Sequence, residues 1–336
     1  MKNESKIKIT SPARLHLGFM DLNGSLGRKF GSVGMAIDSI ETSITVSKNS
    51  IQNNIEINEL NEKAYTYAKL ILKAYEVDES VAIDVHKKIP EHAGLGSGTQ
   101  LALTVGTAIS KLFDLNLSLM DIGKVLDRGN RSGIGIGAFE NGGFLIDGGK
   151  GKSAELPPIT VRQNFPENWR IVLLINSREK GIHGQKEYNA FKTLKPFPED
   201  LSEKLCRLVN MVILPSLIEK NFNDFSIAIG KLQKIVGTHF APIQGGVYSN
   251  PDISNIMNYV EKNGFMGVGQ SSWGPTGFIL TDSDTAAHKL TRDIRKNFLC
   301  KDLQIEIIQG RNKGSCIDFI SSNKVSQNKN INLHKE

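Results

Sequence analysis

Apolar and polar residues alternate with period two over residues 6–9 and again over 40–46, which predicts two half-buried strands. The period then lengthens. Between residues 61 and 75, Ala64, Tyr67, Ala68, Ile71, Leu72 and Tyr75 fall at helical spacing. Residues 81–85 alternate again, and after Pro90 the chain enters a glycine-rich loop. From 99 to 113 the positions Leu101, Leu103, Val105, Ala108, Ile109 and Leu112 predict a largely buried helix, and 142–147 a short apolar strand.

Residues 150–168, rich in Gly, Lys, Pro and polar side chains, read as a connection between two units. The next stretch, 170–175, is apolar enough for a central strand. Helical patterns follow near 201–220, 222–236, 252–262 and 284–297, with strands near 277–281, 304–308 and 316–320. The expected division is a phosphate-binding N-terminal domain over 1–160, a C-terminal domain over 161–320, and a polar tail over 321–336. Strands and helices in both halves, with antiparallel-looking alternation, argue for an α+β fold.

The glycines concentrate the chemistry. Gly94, Gly96 and Gly98, with Leu95, Ser97 and Thr99 between and after them, lie between a strand and an apolar helix. Glycines let backbone approach a ligand, and a helix start offers free N–H groups and a positive dipole end. Together they make an anion site, with the Ser97 and Thr99 hydroxyls as further donors or as a ligand for Mg2+. The alternative is a plain helix entry with a hydroxyl cap. Gly94–Gly98 lacks the spacing of a dinucleotide fingerprint, and Gly151-Lys152-Ser153 lacks the first glycine of a Walker A loop.

A second cluster, 128–143, is basic and glycine-rich. It reads either as a phosphate cradle in which Arg131 makes a bidentate contact beside Ser132, or as a flexible loop. A third, 267–277, either brings Ser271, Ser272 and the N–H groups around Gly274 to one turn or is a tight hairpin connection. Near the N-terminus, residues 12–18 read as a strand with Arg14 and His16 on one face, which suits an anionic substrate.

The chain has 336 residues, with 41 Lys plus Arg against 35 Asp plus Glu, hence +6. That surplus admits nucleic acid or a polyanionic small molecule, but no basic run interleaved with aromatics is present. Cys206, Cys300 and Cys316 are far apart in apolar surroundings and read as free thiols in a reducing compartment. No apolar run approaches the ~18 residues of a membrane span, and the N-terminus lacks a signal-peptide core. The expectation is a soluble cytoplasmic protein.

The three glycine clusters resemble those of the GHMP kinase superfamily: Pro12-Ala13-Arg14, then Pro90 to Gly98 with Gly98 in place of a second serine, then Gly269 to Gly277. The resemblance implies an N-terminal α+β domain with a left-handed βαβ crossover, a ferredoxin-like C-terminal domain, and phosphates in the cleft between them. Within it, the strings at 13–18, 21–24 with 27–28, 96–100, 131–135 and 181–184 resemble the β-ribofuranosylaminobenzene 5′-phosphate synthase family of methanopterin biosynthesis. Mevalonate-type kinases of the superfamily carry a catalytic aspartate where this chain has Gly135, and a metal-binding glutamate near Lys124.

The resemblance implies that phosphoribosyl pyrophosphate loses pyrophosphate while the carboxylate-bearing ring carbon of 4-aminobenzoate or 4-hydroxybenzoate attacks its C1, and that CO2 is then lost. It implies a homodimer, with pyrophosphate and Mg2+ on Gly94 to Thr99 and Ser97 as the protein ligand of the metal. Arg14, His16 and Arg131 are then the candidates for phosphate or benzoate carboxylate, and Ser132, Ser271, Ser272 and Gly274 for further phosphate contacts. Asp21 and Glu140 are the nearest carboxylates for acid–base work. The rival reading is an ATP-dependent small-molecule kinase, which the missing base at Gly135 disfavours.

Overall fold

The computed structural model describes residues 6–48, 59–152, 156–176, 178, 181, 182 and 184–320. The polar tail expected over 321–336 lies outside the described residues, as do Ser153 of the GKS triplet and His183.

The alternation near the N-terminus becomes two long strands, β1 (Lys6–Asp21) and β2 (Arg28–Lys48), paired antiparallel. Helix α1 (Glu59–Ala74) leads to β3 (Val81–Lys87), which pairs with the far end of β2. Helix α2 (Ser97–Leu112) buries twelve of its sixteen residues. Gln100, Thr104, Thr107 and Ser110 are among them, which apolar periodicity alone does not foresee. The capping box Ser118–Asp121 starts α3 (Leu119–Val125). Helix α4 (Ile134–Glu140) and β4 (Phe144–Asp147) follow. The second half of the 128–143 glycine cluster is therefore neither cradle nor loop: Gly135 and Gly137 are buried within a helix.

The expected connection at 150–168 carries structure of its own. β5 (Lys150–Gly151) pairs with the start of β2, and β6 (Ile159–Gln163) pairs with β4. The first sheet runs β6-β4-β2-β1 and ends on β11 (Cys316–Ile320), the last described element. The chain thus returns to its first sheet after completing the second.

That second sheet holds β7 (Arg170–Asn176), β8 (Val268–Gln270), β9 (Gly277–Thr281) and β10 (Leu303–Ile308) in the order β10-β7-β9-β8, all antiparallel. With helices between β7 and β8 and between β9 and β10, this is the strand–helix–strand–strand–helix–strand order of a ferredoxin-like unit. The expected α+β fold is the observed one. Between β7 and β8 lie α5 (Gly184–Thr193), α6 (Glu199–Leu208), α7 (Leu214–Ile218), α8 (Phe222–Gln244) and α9 (Pro251–Lys262). The helix expected over 201–220 is α6 and α7 joined by a π-helical turn, Val209–Ile213. Helix α10 (Asp284–Asn297) precedes β10. Among the described residues, no helix is long and apolar enough to cross a membrane.

β7 is buried on both faces, as its apolar run predicts. Ile171, Leu173 and Ile175 join a core shared with Leu15, Leu17 and Met35 of the first sheet and Phe225, Ile229 and Leu232 of α8. Val172 and Leu174 join a second core under α9 and α10. A third packs α1, α2 and α3 on the first sheet. The first of these is continuous across both sheets, so the cleft between them has a fixed floor.

One buried carboxylate sets the second glycine cluster. Asp147, at the end of β4, accepts N–H bonds from Ser32 (3.1 Å), Gly133 (2.9 Å) and Gly149 (2.9 Å), and hydroxyl bonds from Ser32 and Ser132. Burial raises its pKa, and these bonds to the charged form oppose the rise. Asp147→Asn turns one accepting oxygen into an NH2 group facing donors. It should cost about 2–4 kcal/mol, read as a lower urea midpoint at unchanged slope.

Candidate active site

The strand carrying Arg14 and His16 does place both side chains at one cavity, as the two-residue spacing predicts. The alternation then breaks. β1 pairs His16 with Gly34 and Gly18 with Val33, leaving one extra residue between them. This bulge turns Phe19, not Gly18, toward the same cavity.

The cavity has a volume of about 1040 Å3 and gathers residues from both sheets. Gly94, Gly96, Ser97, Gly98, Thr99, Arg131, Ser132, Ser272 and Gly274 all line it. Helix α2 opens there on Gly96, whose φ of 85° is left-handed and which provides no side-chain cap. The first N–H groups of α2 are left for a ligand rather than for a serine or aspartate cap.

Arg14 lies under that loop. Its Nη1 donates to the Gly94 carbonyl at 2.5 Å, and its backbone N–H to the Leu95 carbonyl at 3.1 Å. Burial lowers its pKa to about 10, with Glu187 opposing. A Cβ on Gly96 would sit 3.0 Å from Arg14 Cγ, and one on Gly94 only 2.3 Å from the Ser271 carbonyl oxygen. The loop is as close to its supports as backbone allows.

Two expected contacts are instead structural. The Leu95 side chain is core, 1% exposed. Ser271 is fully buried, its hydroxyl donating to the Gly94 carbonyl (2.6 Å) and accepting from His16 N–H (3.0 Å). Neither side chain lines the cavity. Ser132 borders the cavity, but its hydroxyl already serves Ser32 (2.6 Å) and Asp147. Asp21 and Glu140 do not line the cavity either. Asp21 Oδ1 accepts from Asn23, Gly24 and Ser202, and so pins the turn after β1 to α6. Glu140 is exposed at the end of α4.

His16 differs most from its expected role. It is 4% exposed, and its Nε2 has no hydrogen-bond partner among the described residues. Burial pulls its pKa down to about 3, and the nearby Arg14 cation adds to the fall. It is a neutral ring, so it cannot hold a phosphate or carboxylate by charge.

Sequence reading missed the other wall. Phe19, Phe30, Phe191 of α5 and Trp273 line the cavity, with ring centroids 5.5 Å apart for Phe191–Trp273 and 5.9 Å for Phe30–Phe191. Phe240 backs Trp273 at 4.5 Å. Arg131 stacks over Phe191 at 4.8 Å and pairs with Glu187 at 2.8 Å. These residues are scattered over the chain and converge only through the fold. Lys63, Arg128, Lys150 and Lys192 join Arg14 and Arg131, making six basic side chains against Asp127 and Glu187.

Two outcomes follow from this geometry. Gly96→Ala should lose about 1–3 kcal/mol, from the left-handed φ and the approach to Arg14. Gly98→Ala, within α2 and with nothing within 4 Å of the added Cβ, should raise stability by about 0.4–1 kcal/mol. The second concerns acid. His16, folded, holds its proton only below about 3, while the unfolded ring binds one below 6.5. Between those values the unfolded state carries more protons, so stability falls as pH falls. From pH 7 to 4.5 wild type should lose about 3 kcal/mol more than His16→Gln, in urea unfolding at each pH.

Comparison with known proteins agrees with this architecture. Residues 62–143 match the GHMP kinases N terminal domain and residues 213–299 the GHMP kinases C terminal domain. The beta-ribofuranosylphenol 5'-phosphate synthase of Methanocaldococcus jannaschii is 36% identical, over 84% of this chain and 91% of that relative. The protein of the same name from Archaeoglobus fulgidus is 31% identical, over 92% and 98%. Among solved structures, mevalonate diphosphate decarboxylase from Staphylococcus aureus has a TM-score of 0.65 at 15% identity, over 94% of this chain and 98% of that one. Homoserine kinase from Cytophaga hutchinsonii has 0.61 at 15%, over 93% and 97%. The likeness to these two is one of fold. With a relative above 30% identity matched over nearly its whole length, the chain belongs to the beta-ribofuranosylphenol 5'-phosphate synthase family, built on the GHMP kinase fold.

Proposed function

We propose that the chain condenses phosphoribosyl pyrophosphate with 4-hydroxybenzoate, releasing pyrophosphate and CO2 and leaving a ribofuranosylphenol 5′-phosphate. The observation that carries this is the meeting of two chemistries in one cavity. The uncapped start of α2, Ser97, Thr99 and six basic side chains line it, and so do His16, Phe19, Phe30, Phe191 and Trp273. The two sets touch where Arg131 stacks over Phe191. A phosphorylated sugar and an arene are the two partners such a cavity suits. The printed names of the relatives favour a phenol, hence the hydroxy over the amino benzoate.

In the reaction, the bond from ribose C1 to the pyrophosphate oxygen breaks with its electron pair on oxygen. The carboxylate-bearing ring carbon supplies the pair for the new C–C bond, and the C–CO2 pair then restores the arene. The task of the protein is electrostatic: to hold departing pyrophosphate and several other negative charges. Arg131, paired with Glu187 and stacked on Phe191, brings its charge to the cavity, and the Ser97 to Thr99 N–H groups are those assigned to the leaving phosphates.

Among the described residues there is no group of three His, Cys, Asp or Glu side chains fit to hold a metal. The cavity offers the Ser97 and Thr99 hydroxyls and Asp127, a donor set that fits Mg2+ carried largely by substrate phosphates. When bound, Mg2+ neutralises charge on the leaving pyrophosphate.

The kinase alternative lacks its base and the space for one. A Cβ at Gly135 would lie 2.9 Å from Thr99 Cγ2. Purified protein with phosphoribosyl pyrophosphate, Mg2+ and 4-hydroxybenzoate should give ribosylphenol phosphate and CO2 in equal amounts by mass detection. ATP-dependent phosphorylation of an alcohol, with ADP and no CO2, would overturn the reading. Ser97→Ala and Arg131→Ala should each lower kcat/KM about ten- to a hundredfold, the loss of a hydrogen bond to a charged group.

A further inference from the structure

The aromatic lining of the cavity contains one polar atom with nothing to do. His16 Nε2 is buried and has no hydrogen-bond partner among the described residues. The ring is not free to seek one elsewhere. It lies 4.6 Å from the Phe19 ring, and its backbone is fixed on both sides, N–H to the Ser271 hydroxyl and C=O from the Ser272 N–H. It borders both the main cavity and a smaller recess, lined by Phe19, Val236, Phe240 and Trp273 together with Glu187, Gln233, Gln244, Gln270 and Ser272.

The state of the ring decides what it can bind. Burial keeps the ring neutral, and in the tautomer protonated at Nδ1 the unpartnered Nε2 presents a lone pair. The charged groups facing it are Arg14 beside it on β1 and Glu187 on α5, which borders the same two spaces. A lone pair flanked by a cation calls for a neutral donor, O–H or N–H, and turns an anion away.

We propose that His16 Nε2 accepts the hydrogen of the group para to the arene carboxylate, and thereby selects arenes bearing a donor there. This rests on the function proposed above. That para group is what drives electrons into the ring. As the ring carbon bonds to ribose C1, the para oxygen becomes carbonyl-like, its hydrogen becomes a stronger donor, and the hydrogen bond to the neutral Nε2 tightens. When the C–CO2 pair re-enters the ring, that bond relaxes and the para group keeps its hydrogen. The same contact holds the carboxylate-bearing carbon at the far side of the ring. A ribose hydroxyl is the competing donor, but the Phe19 ring packed on the imidazole and the other aromatic rings lining the same cavity favour a flat apolar body over a sugar.

The experiment compares equilibrium binding of 4-hydroxybenzoate, 4-aminobenzoate and 4-methylbenzoate, the last matching the others in size but lacking a donor. Wild type should bind the first two at least tenfold more tightly than the third. His16→Phe should shrink that ratio below twofold while leaving phosphoribosyl pyrophosphate affinity unchanged, and His16→Gln, with a carbonyl acceptor, should recover part of it. Equal affinity for all three arenes in wild type overturns the proposal without any variant. So does a ratio preserved in His16→Phe, or a loss confined to phosphoribosyl pyrophosphate, which would assign Nε2 to a ribose hydroxyl. If wild type makes the ribosylphenol product yet shows no donor preference, only the role of His16 falls. If it binds neither substrate, the proposed function falls with it.

Discussion

The buried hydroxyl of Ser271 is the point on which the site depends. It donates to the Gly94 carbonyl and accepts from the His16 N–H, joining positions 177 and 255 residues away in sequence. Arg14 reaches the same Gly94 carbonyl from β1. Three segments distant in sequence become one floor. A loop built of glycines carries a large entropic cost of ordering. Here that cost is offset by hydrogen bonds from outside the loop, so the α2 N–H groups are already aimed before a ligand arrives.

The same knot joins charge and ring. Arg14 lies under the glycine loop and beside His16, and its charge helps keep the imidazole neutral. Cationic and aromatic side chains therefore share one lining. Glu187, at hydrogen-bonding distance from Arg131, moderates the positive charge where that guanidinium stacks over Phe191. A reaction that expels a polyanion while an electron-rich ring attacks uses both.

Much of this was legible along the chain, for identifiable reasons. Period-two alternation places Arg14 and His16 together because nothing disturbs β1 between them. Uncommon glycine spacing marks the start of α2 because positive φ and close approach admit little else at Gly94 and Gly96. What was not legible depended on the third dimension. The bulge after His16 transfers Phe19 to the site face, and no local pattern announces it. Phe191 and Trp273 look like ordinary core aromatics until α5 and the third glycine loop meet. Ser271 and Ser272 are indistinguishable as letters, yet one is a buried brace and the other an exposed lining residue. The glycines from 133 to 137 suggested a loop because their composition does; Asp147 gathers the N–H of Gly133 and the hydroxyl beside it and lets a helix start there.

The packing around Gly135 explains why this scaffold is suited to carbon–carbon bond formation rather than phosphoryl transfer. Its carbonyl accepts the Gln100 side-chain amide at 2.8 Å, deep in the contact between α4 and α2, and its Cα faces the Thr99 methyl. A side chain there would have to push the Thr99 methyl aside. The position of the base is therefore not an empty place awaiting a side chain, and nothing at Gly135 can activate a hydroxyl. Nucleophilicity must then come from the substrate itself, and an arene carrying a para donor group supplies it.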